Sequence, residues 1–250
     1  MQMTGNTILI TGGTSGIGRA LAEAFYDRGN RVIVTGRRQN LLDDIAANRP
    51  GIVGMTLDLD DPTSLARLSS AVFDQFPELN VVIANAGISR AEDMRSASWN
   101  PSDAEAIVTT NILGVIRVAA AFLPTLKTRP NATFMATSSA LAFLPRADFP
   151  TYCASKAFLH SWLTSVRHQL RKVPVEVLEL SPPYVQTELT GSDQASDPRA
   201  MLLSTYIAEL MGMLDRQDHS KGELLLEKDH ARRWAERDGT YDAIFAAMNP

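Results

Sequence analysis

The chain has 250 residues, 45% of them hydrophobic and 21% charged, with a formal charge of −4. That balance belongs to a globular domain and excludes disorder over most of the length. No run of Lys or Arg exceeds two and the isoelectric point is near 5.6, which argues against nucleic acid as a partner. The single cysteine, Cys153, forms no internal disulfide, as suits a reducing compartment. The most apolar stretch, 107–123, is interrupted by Thr109, Thr110, Asn111 and Arg117. It falls short of the ~18 continuous apolar residues of a membrane span. The expectation is a cytoplasmic protein that does not touch a membrane.

In chain order, strands are expected at 7–11, 31–35, 52–57, 81–84, 133–137, 175–180 and 223–227. Several are apolar throughout, as strands covered on both faces must be. Amphipathic stretches separate them. The first sets Ile17, Ala20, Leu21, Ala24 and Phe25 on one face, with Gly29 as its stop. This alternation predicts an α/β fold: a doubly wound, Rossmann-type, seven-stranded parallel sheet with helices on both faces. Its ligand crevice is expected at the carboxyl ends of the strands. No linker or repeat divides the chain, so one domain is expected over 1–250. Its parts would be a core (1–187), a substrate loop with helices (188–222) and a helical tail (229–250). The polar insertion at 190–198 lies either over the crevice mouth or on the surface as an ordinary loop.

Between the first strand and the first helix stands Thr11-Gly12-Gly13-Thr14-Ser15-Gly16-Ile17-Gly18. Glycines allow the sharp turn and the close approach of a pyrophosphate that a Cβ would block. A helix starting near Ser15 aims free N–H groups at the anion, and Thr14 and Ser15 add hydroxyls. The second strand runs into Thr35-Gly36-Arg37-Arg38, with no acid to hold ribose hydroxyls. Arg37 and Arg38 suit a 2′-phosphate, so NADP(H) is expected in preference to NAD(H) unless both arginines are merely solvated. Asp58 is expected either to accept from an adenine amino group or to cap the next helix. Asn85-Ala86-Gly87 is a second small turn where backbone can touch a ribose.

Tyr152 and Lys156 are one helical turn apart, phenol and ammonium on one face. Bringing a phenol down by ~3 units takes ~4 kcal/mol. A cation ~4 Å away supplies about that at an effective dielectric near 20. Ser139, at the end of the fifth strand, is placed to polarise a carbonyl. Asn111 is a lone amide in an apolar helix, which either holds a water linked to Lys156 or caps a kink. His160, His168, His219 and His230 form no ligand cluster, so no metal is expected. A substrate pocket is expected from 89–99, 140–149 and 183–201. Leu141, Phe143, Leu144, Phe149 and Tyr184 would be its apolar wall, and Arg146 and Asp148 its polar groups.

Taken in order, the glycine turn, Asn85-Ala-Gly87, Asn111, Ser139 and Tyr152-x-x-x-Lys156 resemble the short-chain dehydrogenase/reductase family over residues 5–227. Pro182-Pro183-Tyr184-Val185-Gln186-Thr187 and the tail from Arg233-Trp234 to Asn249 resemble its DltE-type oxidoreductases. The resemblance implies hydride transfer between a nicotinamide and a carbonyl or alcohol substrate. Tyr152 would exchange the proton, Lys156 tune it and hold the ribose, Ser139 orient the carbonyl, and Asn111 complete a proton relay. Asp58 and Leu59 would line the adenine site, and Pro182, Val185 and Thr187 the nicotinamide pocket. Pro183 departs from the family's usual glycine there. The alternative is a protein that binds NADP(H) as a sensor or scaffold without turnover. The tail would pack across a subunit interface or a neighbouring crevice, in a homodimer or homotetramer, or on its own chain.

Overall fold

Seven parallel strands form one sheet in the order β3-β2-β1-β4-β5-β6-β7. They are β1 (Thr7–Thr11), β2 (Arg31–Gly36), β3 (Ile52–Thr56), β4 (Val81–Ala84), β5 (Ala132–Thr137), β6 (Val175–Leu180) and β7 (Glu223–Leu224). The structure, a computed structural model, describes residues 1–219 and 221–250. Strand order reverses beside β1, which pairs with β2 in register Thr11↔Thr35 and with β4 in register Ile10↔Ile83. At such a reversal the connections leave in opposite directions and a crevice opens at the carboxyl ends.

The period-two alternation of a strand divides the core. Ile8 and Ile10 pack with α1 (Gly16–Tyr26), α2 (Gln39–Asn48) and α8 (Leu203–Arg216) on one face. Leu9, on the other face, shares a cluster with α3 (Pro62–Gln75), α5 (Gly114–Leu126) and α6 (Pro150–Leu170). Leu21, Ala22 and Phe25 supply the buried stripe of α1. Shorter helices complete the chain: α4 (Ser102–Ile107), α7 (Ser192–Ser196), α9 (His230–Arg233) and α10 (Tyr241–Met248).

Strand ends differ from expectation by a residue in three places, and β7 is much shorter than 223–227. Only Glu223 and Leu224 pair with β6, and the chain then turns into a 3-10 helix at Glu227–Asp229. Asp58 does not cap α3. Asp61 does, its side chain accepting from the Thr63 N–H at 2.8 Å, while Asp58 accepts from the Asp60 N–H at 3.0 Å. The run Ser102–Leu126 is long and apolar enough by composition to cross a membrane. In the fold, Val115, Val118, Ala119, Phe122 and Leu126 bury its inner face against the sheet.

Candidate active site

The crevice is latched at the point where strand order reverses. The Thr11 hydroxyl at the end of β1 accepts from the N–H groups of Asn85 and Ala86, each at 3.1 Å. The Asn85 amide donates to the carbonyls of Thr11 and Gly12 at 3.2 and 3.3 Å. Its oxygen accepts from the Thr137 hydroxyl at 3.2 Å. One asparagine thus ties together the ends of β1, β4 and β5. The glycine turn is packed beneath it. A Cβ on Gly18 would stand 2.2 Å from the Gly12 carbonyl oxygen, and one on Gly36 would stand 2.7 Å from Thr14 Cγ2. Gly12 and Gly16 have φ of 65° and 53°, in the left-handed region where a side chain is strained.

The resulting crevice, about 480 Å³, brings together most of the residues singled out from the sequence. Gly12, Thr14, Ser15, Gly16, Ile17 and Gly18 form its floor, with Arg37, Arg38, Asp58 and Leu59 at one end. Asn85, Ala86, Gly87, Pro182, Val185 and Thr187 line the other part, with Ser139, Tyr152 and Lys156. Arg37 and Arg38 are exposed. Ile88, Thr110 and Gln194, which the sequence reading passes over, also line it. Ile88 had a signal in its place directly after the Asn85-Ala-Gly87 turn, and Gln194 in lying within the insertion expected either over the crevice mouth or on the surface. Gln194, on α7 within the 190–198 insertion, donates to the Val185 carbonyl at 2.7 Å and draws that insertion to the crevice wall.

Asn111 is not on that wall. It is fully buried in a π-helical turn, Val108–Leu113, between α4 and α5. Its oxygen accepts from the Ile88 N–H at 2.9 Å, and its amide donates to the Ile88 carbonyl at 3.0 Å and the Ser155 hydroxyl at 3.1 Å. A π-turn shifts the helix register by one residue, which is how a lone amide on an apolar helix comes to face these groups.

Tyr152 and Lys156 stand on α6, 7% and 4% exposed, with Nζ 5.6 Å from the phenol ring centroid. Lys156 donates to the Thr137 carbonyl at 2.8 Å. Burial pushes the phenol up to about 12, opposed by hydrogen bonding with Ser139, and pushes Lys156 down to about 8. The acidified phenol expected from the sequence is therefore not what these side chains produce. Desolvation is the largest influence on the phenol, with the ammonium 5.6 Å from the ring centroid. Ser139 accepts from the Leu141 N–H at 3.1 Å, and this bond fixes its hydroxyl at the end of β5.

None of the residues expected as the substrate wall lines the crevice; Arg90, Pro183, Glu188 and Leu189 from the expected segments do. Leu144 is fully buried, and Phe143 packs edge-on against His160 at 4.9 Å. Arg146 and Asp148 pair with each other at 2.6 Å, and the Tyr184 hydroxyl donates to Asp197 at 3.1 Å. Cys153 is buried, its sulfur accepting from the Arg146 N–H at 3.4 Å. Among the described residues no group of His, Cys, Asp and Glu is disposed to hold a metal ion.

A family model described as short chain dehydrogenase matches residues 6–198. The chain is 35% identical to a Bacillus subtilis protein named uncharacterized oxidoreductase DltE, over 100% of this chain and 98% of that one. It is 32% identical to sulfoacetaldehyde reductase 2 of Chromohalobacter salexigens, over 76% of this chain and 78% of that one. In fold it is similar to a short chain dehydrogenase from Burkholderia cenocepacia solved in complex with NADP. That match has a TM-score of 0.82 at 23% identity and covers 99% of each chain. The motifs met in sequence order, the reversed sheet and the full-length relative agree: this chain belongs to the short-chain dehydrogenase/reductase family and is an oxidoreductase.

Proposed function

We propose that the protein is an NADP(H)-dependent carbonyl reductase or alcohol dehydrogenase in which Tyr152 exchanges the substrate proton. The observation that carries this reading is that Tyr152, Ser139 and Lys156 share one wall of the crevice whose floor is the glycine turn. The floor fits a dinucleotide: a Cβ at Gly12 or Gly18 would strike Ala86 or the Gly12 carbonyl and force this tight turn open, and Ser15 leads into the N-terminus of an eleven-residue helix. Gly12, Thr14, Ser15, Gly16, Ile17 and Gly18 would hold the pyrophosphate. Arg37 and Arg38 would hold the 2′-phosphate, which distinguishes NADP from NAD. Asp58 and Leu59 would flank the adenine. Asn85, Ala86, Gly87, Pro182, Val185, Thr187 and Lys156 would flank the nicotinamide riboside. When bound, the nicotinamide supplies or accepts the hydride.

The side chains then have separable tasks. The Ser139 hydroxyl donates to the substrate oxygen as charge develops there. Tyr152, with a pKa of about 12, holds its proton at neutral pH and is set to give it to that oxygen. Oxidation of an alcohol needs the same proton removed, so the reductive direction is the easier one near pH 7. Lys156 anchors α6 to β5 and offers its remaining N–H groups to the crevice. Asn111 fixes the Ile88 backbone from behind. Of the expected substrate segment 188–222, residues 188–200 would cover the substrate, since α8 packs on the sheet, and the homodimer or homotetramer expected from the sequence would form outside the crevice. Leu113 of the π-turn and Phe158 of α6, 40% and 37% exposed, supply outer apolar surface for it.

The test is a panel of aldehydes and ketones followed at the NADPH absorbance. It should span apolar ketones and small anionic aldehydes, since one relative is named for sulfoacetaldehyde. Tyr152→Phe is expected to lower kcat by ~10²-fold or more, with NADPH affinity within about twofold of the parent. NADP(H) is expected to bind more tightly than NAD(H). Tight NADPH binding with no turnover across the panel would favour the sensor or scaffold reading instead.

A further inference from the structure

Behind the crevice lies a polar cluster that none of these roles uses. Glu179, on β6, is a carboxylate with no exposed surface. Its side chain lies on the sheet face that packs against α6. One oxygen accepts from the Ser138 hydroxyl at 2.5 Å and the Ser181 hydroxyl at 3.2 Å. The other meets His160 Nδ1 at 2.9 Å. The two serine hydroxyls are themselves 2.9 Å apart. A buried carboxylate is costly unless every oxygen is satisfied, and here three partners do so.

The partners' positions set this cluster apart from an ordinary core. Ser138 immediately precedes Ser139. Ser181 immediately precedes Pro182, whose carbonyl accepts from the Ala140 N–H at 2.9 Å. His160 continues the i, i+4 stripe on α6: Tyr152, Lys156 and His160 occupy three successive turns of one face. Lys156 fastens that face to the Thr137 carbonyl, and His160 fastens it to Glu179 one turn further on. A single carboxylate therefore joins the ends of the two strands that present Ser139 and Pro182 to the helix that presents Tyr152.

We infer that Glu179, with His160, is a positioning residue that sets the distance and angle between the Ser139 hydroxyl and the Tyr152 phenol. This rests on the reading of Tyr152 as the proton donor. Glu179 touches neither substrate nor nucleotide, so its loss acts on chemistry and leaves nucleotide binding in place. In Glu179→Leu, Ser181 loses its carboxylate acceptor, Ser138 is left with the Leu180 carbonyl at 3.2 Å, and α6 loses the tie that His160 makes.

The experiment compares the full-length protein with Glu179→Leu, Glu179→Gln and Ser138→Ala on one carbonyl substrate that the parent reduces, with Tyr152→Phe alongside. Expected for Glu179→Leu is a kcat loss of ~30-fold or more, with substrate KM and NADPH affinity each within about threefold. Glu179→Gln keeps an acceptor for the serines and a donor for His160, and is expected to recover most of the rate. Ser138→Ala, which keeps the carboxylate paired to His160, carries the test if the leucine variant does not fold, and is expected to lower kcat by ~5-fold or more on the same grounds. Parental kcat in a folded variant, a loss confined to KM or nucleotide affinity, or a glutamine variant as slow as the leucine one overturns the inference. If Tyr152→Phe turns over like the parent, the proton-donor reading itself fails, and that outcome is read independently of the Glu179 variants.

Discussion

Lys156 shows how far a side chain can be displaced from its ordinary chemistry by its surroundings. Burial alone moves it from 10.5 down to about 8, while its nearest hydrogen-bond acceptor is a neutral carbonyl, that of Thr137. A lowered lysine pKa means that between about pH 8 and 10.5 the unfolded chain holds a proton the folded chain has released. Stability should therefore rise with pH across that window, by up to ~3 kcal/mol in total, and be lowest below pH 8. Tyr152 works in the opposite sense: raised to about 12, it favours the fold at all pH values below 10 and loses that contribution above. Between pH 8 and 10 the Cys153 thiol, pushed up by burial, acts in the opposite sense to the lysine, so the lysine is isolated by difference against a variant that keeps the thiol. Chemical denaturation without added nucleotide should show the parent gaining stability over that interval relative to Lys156→Met, which has no such charge to bury. Parallel pH profiles for the two proteins would contradict this account. The residue types of the site were legible in the sequence because glycine, tyrosine and lysine are needed there for reasons of shape and charge. The direction of the Tyr152 shift was not legible, since it depends on burial, which spacing does not report.

At the scale of elements, the π-turn between α4 and α5 decides where the back of the site is fixed. Asn111 satisfies both the N–H and the carbonyl of Ile88, and the Ser155 hydroxyl besides. Asn111→Ala leaves the half-buried N–H and carbonyl of Ile88 without that partner, while Ser155 keeps its bond to the Tyr152 carbonyl at 2.7 Å, and is expected to cost ~1–3 kcal/mol of stability. Because Ile88 lines the crevice, nucleotide affinity should fall as well, read by denaturation and by NADPH titration of the folded variant. Strands β1, β2, β4 and β6 were legible nearly to the residue, because β-branched and leucine-rich runs bounded by polar or turn residues mark strands covered on both faces, even with Glu176 and Glu179 inside β6. β7 was not, because the apolar run Leu224-Leu225-Leu226 continues inward after strand pairing has stopped. The π-turn had no signature at all beyond a polar residue out of phase. Asp58, Asp60 and Asp61 all precede α3, and the expectation from the sequence considers Asp58 alone as its cap. Pro62 at the first helical position distinguishes them, since it places the cap one residue earlier, at Asp61.

Over the whole molecule, the two sides of the crevice differ in how they are held. One side is the end of the sheet, with the Asn85 latch, the Asn111 clamp and the Glu179 cluster behind it. The other is the segment 188–200, where the one helix has five residues and Gly191, at φ 122°, has open space around it. The tail reaches back to the first side: Asn249 accepts from the Ala147 N–H at 2.6 Å and donates to the Pro145 carbonyl at 3.3 Å. Amide hydrogen exchange should therefore separate the two sides, with Ile88, Ser138 and Ala140 among the slow amides and most of 188–200 among the fast. Uniform exchange across both would contradict this division. The paired prolines at 182 and 183 stand at the junction between the sides. Each fixes its own φ, and the second also restricts the backbone of the first. The chain is thereby stiffened at the very spot where it leaves β6, and any adjustment of this segment to a bound molecule falls to the residues beyond Pro183.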